Sequence, residues 1–381
     1  MAAIPDTAPA QWIRDPQELD RWLGDNADVP LALDTEFERV STFFPIPGLV
    51  QLGLDEAFRL VDPSVAEASE VFRRRLADPD SPKLLYAMSE DLELFRVWLG
   101  LQPAGMLDLQ IGAALSGAGF SVGYARLVET LFGHSLDKSA TRSDWLARPL
   151  TPAQERYALD DVRFLKPLYR WVLDNLQARG LVEALAEESD RFTEDLGGVT
   201  DNGEYYLKIR GGWRLSRPRQ QVLKTLAAWR EDECRRRDRP RNRVLSDNAL
   251  INIADRLPAS AGALAAVPDV PPVVVRRYGE TLLALVREAQ VEADEGLVMI
   301  SPPLTREEQA TYKQVKRLFS RLAEQADVPI EVLAPRRRLE ALLSTNEDEL
   351  ARSILFQGWR GAITEPVRAE VQALIEAERP S

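Results

Sequence analysis

The chain has 381 residues, 45% hydrophobic and 28% charged, and its 60 acidic against 48 basic side chains give a formal net charge of −12. That length allows roughly two to four domains with sizeable cores, and a single cysteine, Cys234, excludes a disulfide framework or a cysteine-rich zinc site. The one histidine, His134, excludes a histidine-built metal site and leaves any serine or cysteine triad a single candidate base, so catalysis is expected to rest on carboxylates with a metal as electrophile.

The first residues, "MAAIPDTAPAQWIRDPQELD", carry proline and charge where a signal peptide needs an apolar core. No stretch approaches the ~20 apolar residues of a membrane span. A soluble, cytoplasmic protein is therefore expected. Residues 30–64 read as three strands: "PLALDTEF", then "LVQLGLD" (49–55) and "AFRLVDP" (57–63), the last two joined by a hairpin turn at Asp55 and Glu56. The "STFFPIPG" between the first two reads as a loop, marked by Pro45, Pro47 and Gly48. A helix near 67–77, a proline-bounded turn and a fourth strand, "KLLYAM" (83–88), follow.

"SEDLELFRVWLG" reads as a helix, with Leu92, Phe95 and Leu99 at helical spacing, Ser89 as N-cap and Gly100 as stop. Further helices run from Leu107 to about Arg179, including "GYARLVETLFG" and "TPAQERYALDDVRFLKPLYRWVLDNL", the latter opened by Thr151 as cap and Pro152 as first residue. This order predicts an α/β domain of roughly 200 residues. A polar, glycine-bearing stretch places a boundary near 195–212. Beyond it no strands are expected, only two helical blocks. One runs from "RPRQQVLKTLAAWREDECRRR" to "YGETLLALVREAQ", the other from "TREEQATYKQVKRLFSRLAEQ" to "EPVRAEVQALIEAE". Their similar size and layout are compatible with a diverged duplication.

"LALDTEFERV" drives an apolar run into Asp34 and Glu36, which share one face of a strand. Two adjacent carboxylates repel. Either water solvates both, as at an ordinary exposed strand end, or a cation lies between them. Asp91 opens the helix after the fourth strand, where α/β sheets build their sites, although the helix dipole alone also favours an acid there. Tyr157 and Asp161, four apart, share a helix face; by themselves they are an ordinary surface acid beside a half-buried tyrosine. Basic residues cluster at 73–75, 235–243 and 336–338, and only the dense middle cluster leans towards binding.

The ordered set, D-x-E after a strand, D at a strand–helix junction and Y-x-x-x-D on a helix, resembles the DEDD superfamily of 3′→5′ exonucleases in its tyrosine branch, the ribonuclease D type. "ALDTEFERVSTFFPIPGLVQLG", "SEDLELF" and "LDKSATRSDWLARPLTPAQERYALDDV" carry the likeness. "VLSDNALINIADRLP", "YGETLLALV" and, in the last block, "GWRG" are similar to HRDC (helicase and ribonuclease D C-terminal) domains. The sister branch has histidine five residues before the last Asp; here Glu155 and Arg156 stand there for Asp160 and Asp161, and only Asp161 fits the tyrosine spacing.

The resemblance implies a ribonuclease-H-like exonuclease domain, a mixed sheet flanked by helices, at residues 1–205. Two all-α HRDC-like domains would follow at 212–295 and 302–381. It implies that Asp34, Glu36, Asp91 and Asp161 hold two divalent metal ions, Mg²⁺ or Mn²⁺. Tyr157 would orient the attacking water, since a phenol of pKa ~10 is a poor base at neutral pH. Tyr86 and Met88 depart from the histidine and glycine that relatives often carry, and Asp108 reads as a helix cap or a support for the site. Lys138 and Arg142 are candidate phosphate contacts, as are Arg235, Arg236, Arg237, Arg241 and Arg243 in the first helical block. The expected activity is 3′→5′ exoribonuclease, releasing nucleoside 5′-monophosphates from structured RNA, with tRNA precursors bearing 3′ extensions as substrate and a monomer as working unit. The alternatives are a DNA exonuclease and a non-catalytic RNA-binding scaffold, the second opposed by the complete set of acids and tyrosine.

Overall fold

The computed structural model describes residues 10–137, 139–197, 202–291 and 296–378. Among the described residues six strands form one mixed sheet: β1 (Trp12–Ile13), β2 (Leu31–Glu38), β3 (Ile46–Leu54), β4 (Ala57–Val61), β5 (Lys83–Leu85) and β6 (Met106–Asp108). Across the sheet they lie in the order β1-β4-β3-β2-β5-β6. β2, β3 and β4 are an antiparallel meander, while β1, β5 and β6 run parallel to their partners. No strand follows β6 among the described residues.

The helices of this part are α1 (Pro16–Gly24), α2 (Pro63–Ala68), α3 (Glu70–Ala77), α4 (Ser89–Leu99), α5 (Leu109–Leu115), α6 (Tyr124–Phe132), α7 (Pro152–Arg163), α8 (Leu165–Arg179) and α9 (Val182–Gly197). β2 is buried on both faces because helices cover both. Leu31 and Leu33 pack with Leu19, Phe72 and Phe95 of α1, α3 and α4. Ala32, on the other face, joins Leu109, Ala113, Val172 and Leu176 of α5 and α8. Hence β2 reads as an apolar run rather than as strict alternation.

Several boundaries differ from the sequence reading, each for a local reason. The loop after β2 ends at Pro45, and Pro47 lies inside β3. It pairs with Phe37 where the register shifts between Glu36 and Phe37, and a bulge tolerates the missing N–H. The helix expected near 67–77 is two, because buried Ser69 interrupts it and accepts from the Phe72 N–H at 3.1 Å to cap α3. The fourth strand stops at Leu85, since Ala87 turns the chain at φ +58°. Ser89 is the first residue of α4, not its cap, and Met88 holds the cap position. The segment at Leu107 is strand, and helix begins at Leu109. The long helix opened by Thr151 divides at Phe164. Thr151 does cap it, through a reciprocal capping box with Gln154, and Pro152 is its first residue. Gly100 ends α4 in the left-handed conformation, as read.

The regular structure of the remaining described residues is helical: α10 (Arg217–Arg237), α11 (Arg241–Val244), α12 (Asp247–Arg256), α13 (Ala261–Ala265), α14 (Pro272–Val291), α15 (Arg306–Ala326), α16 (Ile330–Leu333), α17 (Arg336–Leu342), α18 (Glu347–Ala351), α19 (Gly358–Thr364) and α20 (Arg368–Glu378). Two compact units emerge. One holds the sheet, its helices as far as Gly197, and everything from Leu304 onward. The other holds Arg39–Pro45 and the helical block that ends at Pro303. Its core is Val222, Leu223 and Leu226 of α10 against Leu250 and Ile253 of α12 and Leu282 and Val286 of α14.

Within the first unit, the last block has its own small core around Val315, Phe319, Leu339 and Val371. It also adds Ala323, Leu333 and Trp359 to the core built on α5 and α8. The "GWRG" stretch makes that joint. Buried Arg360 forms a two-pronged ion pair with Glu188 of α9 and donates to the Leu333 and Val332 carbonyls at 2.8 and 2.7 Å. Trp359 Nε1 donates to the same Glu188 at 2.7 Å.

Candidate active site

The site forms where β2 runs out of its apolar segment beneath α7. Asp34 and Glu36 leave β2 on one face, at the bulge. Asp161 comes from the third turn of α7. Carboxylate oxygens of Asp34, Glu36 and Asp161 all lie within 4.8 Å of one another. Asp91 sits in the first turn of α4, buried, and its Oδ1 accepts a short hydrogen bond from Thr35 Oγ1, the residue between Asp34 and Glu36.

The placement of Asp91 depends on a support that the sequence marks faintly. Asp108, 3% exposed at the end of β6, accepts from the N–H groups of Ala87 at 3.0 Å and Met88 at 3.2 Å. It also caps α5 through Gln110 N at 2.8 Å. A carboxylate with three backbone donors holds Ala87 at its positive φ, which an alanine otherwise avoids. That turn swings α4, and with it Asp91, towards β2.

Tyr157 lies one helical turn before Asp161 and is hydrogen-bonded to it. Its ring is tilted 42° against that of buried Trp145, with centroids 5.8 Å apart, and Thr141 hydrogen-bonds its hydroxyl. The loop carrying Thr141 and Trp145 packs close to β3 because Gly48 has no side chain. A Cβ there would lie 2.9 Å from the Trp145 carbonyl and 3.1 Å from that of Glu36.

The acids raise one another's pKa. Burial first, then Asp161, Asp91 and Glu36, push Asp34 well above the carboxylate range. Burial, Asp161 and Asp91 push Glu36 up to about 9. Asp91 is pushed to about 7 by burial, against the opposing Thr35 hydrogen bond, and Asp161 to about 7 by burial and Asp160, against that of Tyr157. No lysine or arginine is ion-paired with these four acids among the described residues. The donor set is oxygen alone, which fits a hard divalent cation and not a thiophilic one.

Two residues bordering the cluster escaped the sequence reading. The Tyr124 hydroxyl donates to the Asp160 carbonyl at 3.0 Å and is held well above its ordinary pKa by burial, then by Asp161 and, more weakly, Asp34. Gln51, opposite Asp34 in the β2–β3 ladder, is fully buried; its Nε2 reaches Asp34 at 3.5 Å and its Oε1 has no partner. Antiparallel pairing of β2 with β3 across the short loop of residues 39–45 was the signal that could have placed Gln51. Asp160 turns away to Arg163, at 2.5 Å.

The candidate RNA contacts separate. Lys138 lies outside the described residues. Arg142 is exposed, next to Thr141 and so near Tyr157. In the helical unit, Arg235 and Arg241 pair with buried Glu231 at 3.1 and 2.6 Å, and Arg236 and Arg237 with Glu233 at 2.6 and 2.5 Å. Arg235 and Arg241 also lie over the Phe43 ring, at 5.0 and 4.8 Å. Arg243 is exposed.

With this geometry in hand, comparison with known proteins is specific. The family model described as 3′-5′ exonuclease matches residues 10–177, that of the HRDC domain 219–286, and that of the ribonuclease D C-terminal HRDC domain 308–367. A ribonuclease D of Pseudomonas paraeruginosa is 38% identical over 93% of this chain and 95% of its own. That of Escherichia coli K12 is 34% identical over 87% of this chain and 90% of its own. The crystal structure of Escherichia coli RNase D, described as an exoribonuclease involved in structured RNA processing, superposes with a TM-score of 0.85 at 32% identity, covering 98% of this chain and all of that one.

Proposed function

The chain belongs to the ribonuclease D family of 3′→5′ exoribonucleases, and from that premise we propose that it trims 3′ extensions from tRNA precursors, as a cytoplasmic monomer, with Asp34, Glu36, Asp91 and Asp161 holding two divalent ions, Mg²⁺ or Mn²⁺. The observation that carries this reading is the convergence of Asp34, Glu36 and Asp161, beside buried Asp91, with no lysine or arginine ion-paired to them among the described residues. When bound, such ions acidify a water and offset charge on the leaving 3′ oxygen. The chain's own residues do the rest. Tyr157, its pKa raised by burial and by Asp161, stays a neutral phenol and orients the water by hydrogen bond. Water adds to the terminal phosphorus, the P–O3′ bond breaks, and the products are a nucleoside 5′-monophosphate and an RNA one residue shorter with a free 3′ hydroxyl. Asp108 and Thr35 fix Asp91, and Thr141 and Trp145 fix Tyr157. Arg142 and Arg243 are exposed and available to phosphates.

The test is a product assay on a 5′-labelled tRNA with a 3′ extension, beside single-stranded DNA of equal length, with Mg²⁺, Mn²⁺ or chelator. Stepwise loss from the RNA 3′ end that stops at the mature end and vanishes in chelator is expected, and Tyr157→Phe should slow it about 10²-fold. Faster cutting of DNA would make the enzyme a DNA exonuclease. RNA binding without cutting under either metal would leave the scaffold reading. Sedimentation and cell fractionation check the monomer and the compartment.

A further inference from the structure

Resting on the reading of the chain as an enzyme that shortens RNA, we propose that the exposed face of α15 is a binding track for RNA backbone phosphates. α15 buries Thr311, Val315, Leu318, Phe319 and Ala323, which turns its opposite side outward. On that side Arg306, Lys313, Arg317 and Arg321 recur at intervals of seven, four and four residues, close to one helical face. All four are exposed, and none forms an ion pair among the described residues. With Gln309 and Gln314 they line a groove along the helix. At 1.5 Å per residue the four cations span about 22 Å.

The contrast with the visible charge clusters decides the assignment. Arg235, Arg236, Arg237 and Arg241 are all held in ion pairs, sharing Glu231 and Glu233, and Arg336 and Arg338 pair with Glu340 and Asp195. The α15 cations, scattered through the sequence, have no ion-pair partner among the described residues. Among the described lining residues acids stand at the far end, as Glu324 and Glu370, while Glu307 and Glu308 lie in the first turn beside Arg306, so the cations least offset by acids are Lys313 and Arg317. Lysine and arginine on long stems with amide donors between them suit a phosphodiester chain and read no base. The track shares no residue with the carboxylate cluster, so it serves long RNA and not the 3′-terminal dinucleotide.

The experiment measures affinity of the full-length chain, in chelator, for a tRNA with a 3′ extension across a salt series. The Lys313→Gln/Arg317→Gln/Arg321→Gln triple is compared with a charge-matched triple, Arg276→Gln/Arg287→Gln/Arg352→Gln. At about 0.7 per single-strand phosphate contact, the first triple should flatten the slope of log K against log salt by about 2 and weaken low-salt binding at least about tenfold. The matched triple should leave the slope near wild type. With metal, kcat/KM for a 5′-phosphorylated RNA dinucleotide should be unchanged by the first triple. An unchanged slope, or equal loss in the matched triple, overturns the track. If wild type hydrolyses neither dinucleotide nor long RNA, the exoribonuclease reading fails instead, and the binding slopes still decide the track.

Discussion

Asp34→Asn is expected to lower kcat at least about 10³-fold, ~4 kcal/mol at the transition state, and at the same time to raise the melting temperature of the metal-free protein. Both effects follow from one geometry. Asp34 shares a 4.8 Å cluster with Glu36 and Asp161, and burial, then Asp161, Asp91 and Glu36, hold its pKa well above the carboxylate range. An asparagine keeps the shape and removes one repelling charge, a gain on the order of 1 kcal/mol. The sign of the pH dependence is fixed by the direction of the shifts. A carboxylate raised in the folded state holds a proton that the unfolded chain releases near pH 4. The contribution of these acids to metal-free stability is therefore full at low pH and is lost as pH rises through about 7 for Asp91 and Asp161 and about 9 for Glu36. Added Mg²⁺ should restore it, more at pH 8.5 than at pH 6, because the metal competes with protons for the same oxygens. Calorimetric scans of both proteins at several pH values, with and without metal, check this. A lower melting temperature for the variant without metal would contradict the repulsion.

Arg360→Met is the second large effect, a loss of about 3–5 kcal/mol in unfolding free energy. Arg360 is 3% exposed and binds Glu188 with two prongs while donating to the Val332 and Leu333 carbonyls. Its removal strands a largely buried carboxylate and two carbonyls. Arg191, 2.8 Å from Glu188, and the Trp359 indole retain part of the pairing, which places the loss towards the lower end. Replacing both partners, Glu188→Leu with Arg360→Met, removes the stranded charge and should recover much of the loss. Denaturant titration of the single and double variants gives the coupling directly. Additive losses would mean that the pair does not join α19 to α9.

The parts of this protein legible in its sequence are those where local pattern and tertiary placement agree. "LALDTEF" is a strand whose apolar residues are sandwiched between helices and whose acids begin where that cover ends. Thr151, Pro152 and Gln154 announce a helix start, and the spacing from Tyr157 to Asp161 then needs only that helix to be meaningful. β1 and β6, of two and three residues, are too short to show any period, and only their partners β4 and β5 make them strands. Ser69 and Phe164 break helices that periodicity alone would run on.

The arginine run was incompletely legible for a different reason. Glu231 and Glu233 stand three and four residues before Arg235, Arg236 and Arg237, so the pairing signal was present. Counting positive charge without its partners hid it. The α15 stripe is the reverse case, with cations too far apart in sequence to look like a cluster until the helix aligns them.

The claim on which the rest depends is that the four acids form a metal centre. Crystals grown with Mn²⁺ and measured at the manganese edge test it most directly. Two anomalous peaks roughly 4 Å apart, bounded by Asp34, Glu36, Asp91 and Asp161, with at least one lost in Asp34→Asn, is the predicted result. Manganese found elsewhere, or nowhere, in a protein that still shortens RNA would contradict it.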